Sequence, residues 1–244
     1  MSRVGRHGTI AGRKAAQDSK RAAMFTKYAR AITVAAKDGG DPEYNSSLRL
    51  AIEKAKAISM PNDNITRAIK KGTGELAGET YVELKFEGYG VAGVAVIVET
   101  LTDNRNRTAG EMRHYFDKCG GNLGQSGSVM FMFDRKGIIV IEGEGLDEDT
   151  VMEAALEAGA EDFSFDGDVF EITTEPNDLG AVRDALEEQG YSFLSAEVQY
   201  IPGTMTAIDD PDMQTKMEKL IDMLEDNDDV QAVWHNWEMP EDDE

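Results

Sequence analysis

Between residues 138 and 201 the hydrophobic period switches repeatedly, and the order of those switches limits the fold more than any other feature of this chain. Alternating apolar residues predict strands, and apolar residues at three-to-four spacing predict helices. On that basis the stretch reads as strand 138–142, helix 147–158, strand 161–165, strand 168–173, helix 177–189 and strand 193–201. This is βαββαβ, the ferredoxin-like order. Similar pieces flank it. Before it come the alternating VELKFEGYG (82–90), strand 94–101, helix 105–118 and strand 128–134; after it come strand 204–208, helix 211–225 and strand 230–236. Joined across the central piece, the two flanks make a second βαββαβ unit. The alternative is simple tandem packing.

The first part of the chain has a different texture. Ala22, Phe25, Ala29, Ile32 and Ala36 form one helical apolar stripe, which Gly39-Gly40 ends and Asp41-Pro42 follows with a turn. A second helix fits Ser46 to Ser59, with Leu48, Ala51, Ile52 and Ala55 inward. Pro61 breaks it. Asn62 or Asp63 is placed to cap a short third helix, which carries Ile65, Ala68 and Ile69 and stops at Gly72 and Gly74. The expected fold class is therefore α+β: an N-terminal three-helix domain plus two ferredoxin-like βαββαβ domains, one inserted in the other. The expected boundaries are 1–78 for the helical domain, 79–134 with 202–244 for the discontinuous α/β domain, and 135–201 for the inserted one.

Charge divides the chain at the same place. Residues 1–78 hold 15 Lys and Arg against 7 Asp and Glu, a net of +8, whereas residues 79–244 hold 10 against 40, a net of −30. Within Gly12–Arg30 stand six cations, Arg13, Lys14, Lys20, Arg21, Lys27 and Arg30, against the single acid Asp18. A basic head on a chain of net charge −22 suggests a polyanion as its partner. The acidic remainder would be repelled by that polyanion, or could meet basic protein. Lys20 and Lys27, seven apart, are expected on the exposed side of the first helix, away from Phe25 and Ile32. Lys70 and Lys71, in the last turn of the third helix, are flanking candidates.

Other motifs are weaker. Gly88–Gly93 matches G-x-G-x-x-G, but a strand follows where a dinucleotide site needs a helix, so a hairpin turn is expected. In DNRNRT (103–108), Arg105 and Arg107 lie where a strand meets a helix. Together they could bind phosphate or a partner carboxylate; an internal ion pair is the other reading. GGNLGQSG (120–127) reads as a flexible helix-to-strand loop, and the acidic run 225–229 as a solvated turn. The three histidines and the lone Cys119 show no catalytic pairing or zinc spacing, so neither an enzyme nor a cofactor is expected. One cysteine makes no internal disulfide, and no apolar run approaches a membrane span. A cytoplasmic protein is the reading.

Several long stretches are specific. RKAAQDSKR (13–21), LRLAIEKAKAISMPNDNITRAIKKGTGE (48–75), EGYG (87–90), LTDNRNRTAGEMRHYF (101–116), GGNLGQSGSV (120–129) and DMLEDNDDVQAVWHN (222–236) resemble the YebC family over nearly the whole chain. The resemblance implies a helical N-terminal domain and two α/β domains, one inserted in the other. It also implies DNA binding in some members and a ribosome-associated role in easing stalled elongation in others, and it brings no catalytic residues. Where members commonly carry a GHSKWANI-like segment, this chain has GRHGTIAG (5–12), with Arg3 and Arg6 keeping the charge.

The leading expectation is a non-enzymatic nucleic-acid-binding regulator, a DNA-binding transcriptional regulator, whose head contacts DNA or RNA phosphates through Arg13, Lys14, Lys20, Arg21, Lys27 and Arg30, flanked by Lys70 and Lys71. The alternatives are a ribosome-associated translation factor that binds rRNA, with basic ribosomal protein facing the acidic domains, and a small-molecule-sensing module.

Overall fold

The computed structural model describes residues 10–240, with side chains from Arg21 onward. Ile10–Ala35 is one helix, α1, closed by a 3-10 turn over Ala36–Asp38. Asn45 then does two jobs. Its side-chain oxygen accepts the Leu48 N–H at 3.0 Å and so caps α2, Ser46–Ala57, while its amide donates to the carbonyls of Ala35 and Gly39, each at 2.8 Å. The third helix, α3, runs Asn62–Thr73. Its N-cap is Pro61, which makes no side-chain bond, so neither Asn62 nor Asp63 serves as the expected cap. Gly74, in the left-handed region at φ 83°, ends it.

Gly72, expected to help stop α3, lies inside it. A Cβ at Gly72 would collide with the Thr33 carbonyl and the Ala36 methyl, so this glycine is what lets α3 close onto α1. Ile32, Ala36, Leu48, Ile52, Ala55, Met60, Ile65 and Ala68 form the buried cluster of the three helices, with Phe25, Tyr28 and Ala29 packed against it.

The next strands are β1, Val82–Tyr89, and β2, Ala95–Thr102. Gly88–Gly93 connects them, and Gly90 donates its N–H to the Val94 carbonyl at 2.8 Å; the motif is the expected hairpin turn. Helix α4, Arg105–Lys118, follows, then the two-residue strand β3, Asn122–Leu123. The chain continues through β4, Phe133–Glu142; α5, Glu148–Ala158; β5, Asp162–Phe165; β6, Val169–Thr174; α6, Leu179–Glu188; and β7, Ser195–Pro202. Short β8, Thr206–Ala207, then α7, Pro211–Glu225, β9, Val230–His235, and β10, Trp237–Glu238, complete it.

The α+β class stands. β4 to β7 form an antiparallel sheet in the order β5-β6-β4-β7, the ferredoxin-like order for a βαββαβ unit, set in the chain between β3 and β8. Phe170 is its aromatic centre, stacked with Phe163 and Phe165 at 5.6 and 4.3 Å between ring centres. The other main sheet is ordered β3-β1-β2-β9, and it departs from the expected second βαββαβ unit. The strand expected over 128–134 does not exist as such. Met130–Met132 is a 3-10 turn, and Phe133 onward already belongs to β4, which pairs with β7 from Phe133↔Pro202 to Val140↔Ser195. The place beside β1 goes to β3.

The 120–127 loop, expected to be flexible, and the residues just after it are tied to the buried carboxylate of Glu87. That side chain accepts N–H groups from Gly127, Val129 and Met130 at 2.6, 3.1 and 2.7 Å.

The chain packs as two compact units. One gathers the chain up to Leu84 with Glu99–Glu111 and Ile221–Ala232; the other gathers Lys85–Val98, Met112–Leu220 and the chain from Val233 on.

Candidate nucleic-acid interface

The first unit carries the cations singled out in the sequence. Arg13, Lys14 and Lys20 fall outside the described side chains, as does the 5–9 segment. Arg21 is exposed on α1. Lys27 is not on an open face as expected. It is half-buried and donates to the Glu225 carbonyl, while its own carbonyl accepts from the Gln231 side chain at 3.3 Å. Burial lowers the Lys27 ammonium pKa, against the opposing pull of Asp228, Glu225 and Asp226. The physical reason is that the side of α1 away from Phe25 and Ile32 is covered in part by the chain around 225–231.

Arg30 is more deeply engaged. It pairs with Asp229, donates to the Leu101 carbonyl at 3.0 Å, and its guanidinium lies 4.9 Å from the ring centre of Tyr81. Burial raises the Tyr81 phenol, outweighing the nearby Arg30 charge, so the ring is neutral at physiological pH.

Arg107 is held at an internal ion pair, the other reading of DNRNRT. Its guanidinium meets Asp103 at 2.8 Å and Asp229 at 2.9 Å. The bond to Asp229, then that to Asp103, raises its pKa further. Arg105 is exposed at the first position of α4.

Asp229 overturns the reading of 225–229 as a solvated turn. The residue is 3% exposed and binds Arg30, Arg107 and the Thr108 hydroxyl, the last at 2.8 Å. Its backbone carbonyl accepts Leu101 N–H at 2.8 Å. Burial pushes its carboxyl pKa up, but the hydrogen bonds from Arg107, Arg30 and Thr108 outweigh burial and leave it below the usual range. In the sequence Asp229 is one acid among several, and nothing marks it as the inward one.

A further set of cations stands on α3. Arg67, Lys70 and Lys71 are exposed, and none forms an ion pair with a described residue. Spaced i, i+3, i+4, they share one side of the helix. Beside them a groove of about 300 Å³ runs between α1 and α3, its lining including Phe25, Ala29, Asn64, Arg67, Lys71 and Tyr81. Arg67, Asn64 and Tyr81 were not read as site residues. Asn64, Arg67 and Lys71 recur at three-to-four spacing, which signals a shared face, but only the fold says that this face looks onto α1. Among the described residues no three His, Cys, Asp or Glu side chains come together as a metal-holding group, and no helix is long and apolar enough to cross a membrane.

Comparison with known proteins agrees with this architecture. The family model described as the TACO1/YebC protein N-terminal domain matches residues 6–75, and the one for the TACO1/YebC second and third domain matches 81–237. A probable transcriptional regulatory protein of Clostridioides difficile is 59% identical over 238 residues, covering 97% of this chain and 100% of that one. One of the same name from Finegoldia magna is 55% identical over 239 residues, covering 98% and 99%. The crystal structure of a conserved hypothetical protein from Aquifex aeolicus matches with a TM-score of 0.80 at 44% identity, over 98% of this chain and 99% of that one. The chain belongs to the TACO1/YebC family.

Proposed function

We propose that this protein is a non-enzymatic regulator that binds nucleic acid through the cationic surface of its helical region. The observation that carries the reading is the set Arg67, Lys70 and Lys71, exposed together on α3 in a chain whose net charge is −22. In such a chain most cations are expected to find carboxylates, as Arg30 and Arg107 do; a set left facing solvent suits phosphate. Arg21 is exposed on α1, and the sequence carries further cations at 13, 14 and 20. The relatives named as probable transcriptional regulatory proteins support a regulatory role.

Phosphate contacts of this kind suit duplex DNA and ribosomal RNA alike, because the charge pattern reads backbone rather than bases. The test is crosslinking of the full chain to nucleic acid in cells, followed by sequencing of what is bound. Enrichment of a few promoter fragments supports transcriptional regulation. Enrichment of ribosomal RNA moves the protein to the ribosome, with its acidic part facing basic protein. Recovery no greater than from a variant carrying Arg67→Glu, Lys70→Glu and Lys71→Glu would sink the reading.

A further inference from the structure

We propose that the groove between α1 and α3 takes one unstacked base of a single-stranded nucleic acid, laid against Tyr81, with Arg67 and Lys71 holding the flanking phosphates. This rests on the nucleic-acid reading above and adds the form of the ligand.

Three observations lead there. First, the groove is amphipathic. Phe25 and Ala29 supply apolar wall, Asn64 supplies an amide able both to donate and to accept, and Arg67 and Lys71 bring positive charge. A purely phosphate-binding surface has no use for the aromatic part. Second, the ring of Tyr81 is held before any ligand arrives. The Arg30 guanidinium lies over it, and Arg30 is itself fixed by Asp229 and the Leu101 carbonyl. An aromatic ring already ordered loses little further freedom on stacking. Third, the space is small. About 300 Å³ is at the lower end of pockets that take an organic ligand, room for one base and not for the edge of a helix. A duplex keeps its bases stacked inside and offers such a groove only phosphate. A single strand can turn one base out, and aromatic stacking accepts any base because each has a π-face.

The experiment measures fluorescence anisotropy of full-length protein with labelled strands of about twelve nucleotides, within the range of ~4–16 that compact single-strand sites cover. Thymidine and uridine strands distinguish DNA from RNA as the source, and a duplex of the same length serves as comparison. Tyr81→Leu is expected to weaken single-strand binding roughly five- to 140-fold, the effect of losing one base–aromatic stack, and to leave duplex binding within about twofold. Tyr81→Phe keeps the ring and is expected to bind as the parent does. Equal loss on single strand and duplex, or no loss on either, overturns the stacked base while leaving phosphate binding intact. Failure of the unsubstituted protein to bind any strand overturns both readings. Because Tyr81→Leu also removes the contact with Arg30, a second measurement uses the unaltered chain. Strands carrying 5-iodouracil are photocrosslinked and the adduct is located by mass spectrometry; attachment to Tyr81 is expected, and attachment only elsewhere overturns the proposal.

Discussion

Asp229 gathers two arginines and a threonine hydroxyl while nearly closed off from water. Removing one side of a buried charge cluster leaves the other side unpaired, which typically costs about 3–5 kcal/mol. Asp229→Ala is therefore expected to lower the melting temperature by roughly 6–20 °C, at about 2–4 °C per kcal/mol for a chain of this size. Scanning calorimetry beside Arg105→Ala, which touches no such cluster, checks it; equal melting of the two would refute the role given to Asp229. The pH dependence has a definite sign. The folded carboxyl sits below its unfolded value, so its stabilisation is complete above the unfolded pKa of about 4 and is lost as pH falls through the lower folded value. Urea melts between about pH 3 and pH 7 should show the gap between the parent and Asp229→Asn narrowing at the acid end.

At the level of elements, close approach and connectivity are the decisive matters. α3 can lie against α1 at Thr33 and Ala36 because residue 72 lacks a side chain. Gly72→Val is expected to cost about 1–3 kcal/mol by overpacking and to widen the groove beside Lys71, which a lowered melting temperature together with faster amide exchange in α3 would report. For the inserted unit expected at 135–201, we propose independent folding. The fragment to make runs 133–202, the limits of β4 and β7, since among the described residues its four strands pair only with one another. A cooperative thermal transition by circular dichroism is the expected result, and a featureless melt would count against autonomy.

At the level of the whole molecule, the question is how an acidic chain can hold a polyanion. The net charge of −22 repels nucleic acid at long range, and salt screens that repulsion within about 10 Å at 0.1 M. Binding must therefore depend on a local set of cations and must show it in the salt slope. Arg67→Glu with Lys71→Glu in the full chain is expected to flatten the log–log salt plot by roughly 1.4 to 1.8, two contacts at about 0.7 each for a single strand or 0.9 for a duplex. The melting temperature should hardly move, because substitutions of exposed charges usually change stability by about 0.5 kcal/mol or less. Lys27 is a poor choice for the same experiment: it is half-buried against the 225–231 segment, and its loss would mix packing with charge.

What the amino-acid order alone made legible was local. The apolar stripe of α1, the glycine after α3 and the period changes from 138 to 201 each depend on residues close together in the chain, so helices, hairpin and the inserted βαββαβ order were legible. The division of charge near residue 78 was legible too, because it is a count. Long-range pairing was not. Nothing in SVMFMFD marks where a strand starts, and only pairing with Ser195–Pro202 puts the start of β4 at Phe133. Likewise, alternation along VELKFEGYG shows that one of its faces is buried, but not that Glu87 would turn inward to hold three N–H groups of a glycine-rich loop. Tertiary structure also decided which charges stay available. Arg30, Lys27 and Arg107 look like Arg67 and Lys71 in a sequence. They differ because residues 101–108 and 225–231 fold against α1 and bring Asp229 and backbone carbonyls to the first three, while α3 presents the other two to solvent.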